Sequence, residues 1–200
     1  DISMYQESAE CVFVSADKNL DVSYTSINSV ANKAADKTTL IVLPGTYKEN
    51  VKIKDKEINI FGLDRKSCIL ENYTASYYSP PLEIAAGKVS NLTIISHGNG
   101  SDDKAGAYGV HIEQHFLSGR ELIFDNCYVE SDSNSGVGLG MRSDCKVSFN
   151  DCVLIGKEYG IFAHDSAYAK YAGLQELTFS NCTIEGKTGK GGMALDSQGQ

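Results

Sequence analysis

Positive charge is scarce in this chain: 18 Lys and Arg stand against 26 Asp and Glu over 200 residues, a net charge of −8. Binding to nucleic acid or to an anionic membrane releases counterions from a basic stripe, so neither is an expected partner. Apolar runs are short too. None approaches the ~18 consecutive apolar residues that a membrane-spanning helix needs, and no basic-then-apolar leader precedes Asp1, so a processed or trimmed start is expected. The carboxylates are not grouped as a hard-cation site requires, so no metal and no cofactor is expected. Tryptophan is missing altogether, while eleven tyrosines are present.

What is present is a repeat. LIFDNCYVES from Leu122, VSFNDCVLIG from Val147 and LTFSNCTIEG from Leu177 share an apolar residue, a Phe, an Asn or Asp and a Cys at the same spacing. Such a recurrence marks an array whose units bury their apolar faces only by stacking on neighbours. Within each phrase apolar residues alternate on both sides of the Asn or Asp (Leu122 and Phe124, then Cys127 and Val129), which describes two short strands meeting at a bend. Each phrase has a further Gly-rich strand nearby: GVHIEQ from Gly109, GLGMRS from Gly138, GIFAHDS from Gly160 and GMALDSQ from Gly192. Three strands per coil predict an all-β fold, a right-handed single-stranded parallel β-helix of about six coils.

The beginning of the chain differs. Ile2 to Val14 ends in an alternating run that suits a first strand. From Tyr24 to Asp36 the period becomes helical, with Ile27, Val30, Ala31 and Ala34 on one side and Asp21 or Ser23 available as N-cap. This short amphipathic helix, within about residues 20–36, is expected to cover the open N-terminal end of coils spanning about 38–200, all in one domain. Thr39 to Leu43 then runs into a Pro44-Gly45 turn and the strands GTYKENVKI and KEINIFG.

These residues carry a resemblance. The stretch from Asp21 to Gly62, with Gly45, Tyr47 and Glu49 as a G-x-Y-x-E motif, resembles the N-terminal part of the pectin methylesterases and the wider pectin-lyase-like β-helix superfamily. The likeness covers roughly residues 20–65 and is specific for fold more than activity. It implies a site on the outer face of one sheet, built from two Asp and a Gln: one Asp as acid/base, the other as nucleophile on a methyl ester, the Gln at the oxyanion. The family carries these in Q-A-V-A-L, Q-D-T and D-F-I-F-G. Here the corresponding segments read Ala107-Tyr108-Gly109-Val110, Gly136-Val137-Gly138-Leu139 and Glu158-Tyr159-Gly160-Ile161-Phe162. Neither Asp is present, so methylesterase activity is not expected. Polygalacturonase-like hydrolases need N-T-D, D-D, G-H-G and R-I-K in that order. In this chain Ser96-His97-Gly98 precedes Asp102-Asp103, and that acidic pair reads as solvated turn residues.

Aligning the Gly-rich strands gives a candidate site. With Val110, Leu139, Ile161 and Met193 pointing inward, Glu113, Arg142, His164 and Asp196 form an outward ladder, able to bind a sugar chain along the helix axis or to stand as a salt-bridged stripe that suppresses edge pairing. His111 and His115 are four apart, which on a strand separates them by ~13 Å and defeats a zinc site. Cys127, Cys152 and Cys182 are expected as a buried column of free thiols, since parallel side chains aim the same way. Cys11, Cys68 and Cys145 have no evident partners. Asn91, Asn126, Asp151 and Asn181 should stack at the bend. Tyr73, Tyr77 and Tyr78, and separately Tyr168 and Tyr171, interrupt the coils as aromatic insertions suited to sugar faces, to covering the core or to contacting another domain. No cap follows the strand running to Gln200, so a longer parent or a covering subunit is expected.

The functional expectation is an extracellular or cell-surface carbohydrate-interacting module, bacterial or phage-associated, with polysaccharide, possibly pectin-like, as partner. Two alternatives stand beside it: a structural or adhesive surface or tail module, and an active polysaccharide esterase, lyase or hydrolase with a non-standard site.

Overall fold

Apolar alternation with period two, broken every few residues by Gly, Asn or Pro, folds here into strands too short to be stable alone, nineteen of them among the described residues. The structure, a computed structural model, describes residues 10–75, 79–98, 107–113, 117, 119–140, 145–164 and 175–196. It opens with β1 (Cys11–Val14) and the helix α1 (Ile27–Lys33), and strands then follow in triplets. The first triplet is β2 (Thr39–Val42), β3 (Gly45–Lys48) and β4 (Val51–Ile53); the second is β5 (Asn59–Gly62), β6 (Cys68–Ala75) and β7 (Leu82–Ile84). Next come β8 (Gly87–Ser90), β9 (Thr93–Gly98) and β10 (Val110–Glu113), then β11 (Glu121–Asp125), β12 (Tyr128–Ser131) and β13 (Val137–Gly140). The last two are β14 (Cys145–Asn150), β15 (Val153–Gly156) and β16 (Ile161–His164), and β17 (Gln175–Ser180), β18 (Thr183–Gly186) and β19 (Met193–Asp196).

Every third strand pairs in parallel with its counterpart one coil away, so the triplets stack into three sheets. The first sheet runs from β1 through β2 to β17, the second from β3 to β18 and the third from β4 to β19. A parallel β-helix is the result, as the repeat implied.

Like residues stack along the interior. Phe124, Phe149 and Phe179 form a ladder with ring centroids 5.0 and 5.5 Å apart, each pair within 13° of parallel. Phe124 and Phe149 are fully buried, and each such side chain contributes about 1.5–3 kcal/mol of transfer free energy. Cys127 and Cys152 are buried below them, with Cys182 half-buried; all three, like Cys11 and Cys68, are free thiols. The Cys152 thiol is held above its ordinary range by its hydrogen bond to Cys127 and by burial. At the bend between first and second sheets, Asn91, Asn126, Asp151 and Asn181 all adopt positive φ, between 50° and 55°. Asx residues tolerate this left-handed geometry best. Their side chains also link the coils: Asn126 Nδ2 donates to Asn91 Oδ1 at 2.8 Å, and Asn181 Nδ2 to Asp151 Oδ1 at 2.5 Å.

The helix is shorter than its period suggested, and its N-cap is Ser26 rather than Asp21 or Ser23. Tertiary contacts choose that start. Glu49 accepts from the Ile27 and Asn28 backbone N–H groups, both at 2.9 Å, and from Ser26 Oγ at 2.7 Å, satisfying the orphan donors of the first turn. Ile27, Val30 and Ala31 are buried, and Asn28 Oδ1 accepts the Lys52 N–H of β4, the end strand of the third sheet. The helix thus lies along that edge.

The whole G-x-Y-x-E motif acquires a physical reason here. A Cβ on Gly45 would stand 2.9 Å from Ala16 Cβ. The buried Tyr47 hydroxyl lies 2.8 Å from the Leu43 carbonyl and 3.0 Å from that of Val14, and accepts the Ala16 N–H at 3.2 Å. Gly45 therefore allows close approach, Tyr47 pins the N-terminal loop and Glu49 caps the helix.

Candidate functional site

On the third sheet one set of side chains faces the core and the alternate set faces outward. Val51, Leu82, Val110, Val137 and Ile161 form one buried inward row. The neighbouring outward row runs Lys52, Glu83, His111, Gly138, Phe162, Ala194.

The next outward row corrects the expected ladder. Val137, not Leu139, stands opposite Val110 and Ile161, so Gly140 faces Glu113 and Arg142 is not its partner. The expected alignment was two residues out, because Gly136, rather than Gly138, is equivalent to Gly109 and Gly160. Backbone crowding explains the glycine column: a Cβ on Gly136 would meet the Ile155 carbonyl oxygen at 2.7 Å and that of Gly160 at 2.8 Å. His164 and Asp196 are register partners on β16 and β19, as aligned. Their side chains lie outside the described set, as do Arg142, His115, Asp102, Asp103, Tyr77, Tyr78, Tyr168 and Tyr171.

Glycines shape this face. A Cβ on Gly138 would fall 2.3 Å from the Tyr108 ring, and one on Gly140 would fall 2.8 Å from a Glu113 carboxylate oxygen. Tyr108 and Glu113 therefore lie down over a floor with no side chains of its own. The His111 ring packs on Tyr108 with centroids 5.5 Å apart, and its Nε2 is 3.9 Å from Glu113 Oε2. One strand away Glu83, only 6% exposed, is paired with Lys54 at 2.9 Å and Lys52 at 3.6 Å. A buried carboxylate keeps its charge only with such partners. The Tyr159 and Phe162 rings stack at 6.2 Å. This recessed surface combines two carboxylates, an imidazole, two ammonium groups and aromatic rings, a set able to bind hydroxyl groups and to move a proton through His111. Among the described residues no group of three or more His, Cys, Asp or Glu converges as metal ligands.

The second sheet holds a cluster that the sequence reading did not assemble. His97 Nε2 lies 3.5 Å from Glu71 Oε2 and its Nδ1 lies 3.4 Å from Asp132 Oδ2. Tyr73 stacks on the imidazole, with centroids 4.1 Å apart and planes within 9°. The Glu71 charge raises the Tyr73 phenol above its usual range. Farther along this sheet, Tyr128 donates to Glu130 at 2.5 Å, and Glu130 pairs with Lys187. Burial opposes the Glu130 charge, but the Lys187 and Tyr128 hydrogen bonds outweigh it and hold the carboxyl below its ordinary range. The available signal was period two: Glu71 and Tyr73 are alternate residues of one strand. Their partners come from other coils, so spacing along the chain does not bring them together.

With the geometry in place, comparison with known proteins is informative. The description of the right-handed beta helix region fits residues 40–200. The chain belongs to that family. The β-helix protein has no match among curated proteins by sequence. Solved structures similar to it include pectin methylesterase from carrot (TM-score 0.61, 18% identity, 86% of this chain and 51% of the other). That from Aspergillus niger gives 0.60 at 14% identity, covering 98% of this chain and 62% of the other. A pectin methylesterase in complex with a hexasaccharide gives 0.55 at 15%, covering 86% and 54%. At these identities the likeness establishes the pectin-lyase-like fold, and the β-helix protein spans between about half and two thirds of its neighbours' length.

Proposed function

We propose that the β-helix protein is an extracellular or cell-surface module that engages polysaccharide on the outer face of its third sheet, without pectin methylesterase chemistry. The observation that carries this reading is the recessed cluster of Glu83, His111 and Glu113 beside a floor of Gly138 and Gly140. Polar groups held rigid next to aromatic rings suit a ligand with many hydroxyls and apolar ring faces. Strands about 4.8 Å apart present these groups at intervals comparable to one pyranose unit, so the chain would lie along the solenoid axis, reaching His164 and Asp196. A pectin methylesterase of similar fold is known in complex with a hexasaccharide. The lack of esterase chemistry rests on the third family segment, which puts Tyr159-Gly160 where the nucleophile belongs, with Tyr159 packed on Phe162. The acidic balance opposes nucleic acid as a partner.

The approach of His111 to Glu113 favours a second reading, an enzyme with a non-standard acid/base pair. One experiment separates the two. Acidic and neutral polysaccharides are titrated with the protein while methanol, reducing ends and unsaturated uronate are followed. The expected result is saturable binding without product, weakened about tenfold by Glu113→Gln and by His164→Ala, the loss of one charge-assisted hydrogen bond. Turnover abolished by those variants would move the assignment to the enzyme, and silence across the panel would move it to a structural or adhesive module.

A further inference from the structure

The second sheet faces a different direction from the third, and its Tyr73 is 55% exposed, uncommon for a large aromatic side chain. It is also unusually well held. One face of the ring rests on His97, and Lys48 Nζ stands 5.4 Å from its centroid. The His97 nitrogens face Glu71 at 3.5 Å and Asp132 at 3.4 Å, and the buried Nε2 makes no hydrogen bond. Those carboxylates have anchors of their own: Asp132 Oδ1 accepts the Gly98 N–H at 2.7 Å, and Glu71, 9% exposed, has Lys48 at 4.0 Å. Three adjacent coils, through β6, β9 and the residue that follows β12, thus surround a half-exposed aromatic ring, over which only the mostly exposed Lys48 side chain stands opposite His97.

An exposed ring so braced loses little conformational entropy when a flat apolar surface settles on it. The apolar face of a pyranose is such a surface, and carboxylate and imidazole groups around a ring accept and donate hydrogen bonds to its hydroxyls. Glu71 and Asp132 would repel a sugar bearing its own carboxylate, since like charges at close range cost free energy. We propose that Tyr73, with Glu71, His97 and Asp132, forms a second carbohydrate-binding site on the outer face of the second sheet, selective for a neutral sugar unit. It is separate from the face assigned above and stands or falls independently.

Calorimetric titration tests this with neutral hexaoses of glucose, xylose, mannose and galactose, and with hexagalacturonate as the acidic probe. At least one neutral hexaose binds the intact protein, and Tyr73→Ala weakens it about tenfold, the worth of one aromatic stacking contact. Tyr73→Phe, which keeps the ring, stays within about threefold of the parent, and the loss caused by Tyr73→Ala is the same when both proteins also carry Glu113→Gln, which weakens the third-sheet face. Tyr73 is exposed, so both substitutions leave the fold intact, as circular dichroism would verify. Absence of binding to every neutral hexaose, neutral-hexaose binding that Tyr73→Ala leaves unchanged, or a Tyr73-dependent preference for hexagalacturonate would each overturn the proposal.

Discussion

On the inner wall, Phe124, Phe149 and Phe179 stand one above another, whereas on the outer wall of the third sheet the same stacking sets Glu113 over Gly140 and Tyr108 over Gly138. Both follow from one parallel register, yet only the inner wall repeats its residues. The reason is electrostatic. Identical apolar groups stacked about 4.8 Å apart attract through dispersion and exclude water, but identical charges at that spacing repel. Outward rows must therefore alternate in sign or size, as Lys52, Glu83, His111, Gly138 and Phe162 do. The inside carries stability and the outside is free to carry recognition.

Three substitutions sharpen that contrast. Removing the middle ring of the inner ladder with Phe149→Ala should cost about 3–5 kcal/mol in chemical denaturation, because both neighbouring rings lose a partner and a cavity remains. A loss near that of a surface change would break the comparison.

Tyr47→Phe lies between the two walls. It deletes a buried hydroxyl that satisfies the Ala16 N–H, at an expected cost of about 1–2 kcal/mol. Burial pushes the Tyr47 hydroxyl up to about 12, above its ordinary value of 10.0. The folded protein then keeps this proton at pH values where the unfolded chain has released it. The corresponding stabilisation is complete below 10.0, declines as pH rises towards about 12, and is missing from the Phe variant. Denaturation midpoints of the two proteins should converge across that window; parallel curves would contradict the argument.

Lys187→Gln should have the smallest effect, under about 1 kcal/mol, since its ion pair with Glu130 is half-exposed. The sign is opposite to that of Tyr47. Glu130 is held below its ordinary 4.5, so the pair contributes above that pH and fades in acid, and the variant should show a shallower acid limb in thermal scans.

How far the sequence reached follows from the same contrast. The phrases around Cys127, Cys152 and Cys182 revealed the coils because the inner wall must repeat. Asn91, Asn126, Asp151 and Asn181 revealed the bend because a positive φ restricts residue choice. The outward ladder was harder. Glu113 and the His164–Asp196 register were placed by alternation, but Arg142 was put opposite Glu113 because Gly138, rather than Gly136, was aligned with Gly109. Crowding by the Ile155 and Gly160 carbonyls, which selects Gly136, involves residues a coil away.

By itself, then, the sequence determined the solenoid, its buried Phe and Cys columns, the Asx bends, the short helix near the N-terminus and the G-x-Y-x-E motif of Gly45, Tyr47 and Glu49, because each depends on local periodicity or on a motif read along the chain. Only the tertiary structure decided the exact start of the helix at Ser26, the register of β13 against β10, and the meeting of Glu71, Tyr73, His97 and Asp132. Those depend on how one coil settles on the next, a matter of backbone close approach and paired charge between residues that the linear order keeps apart.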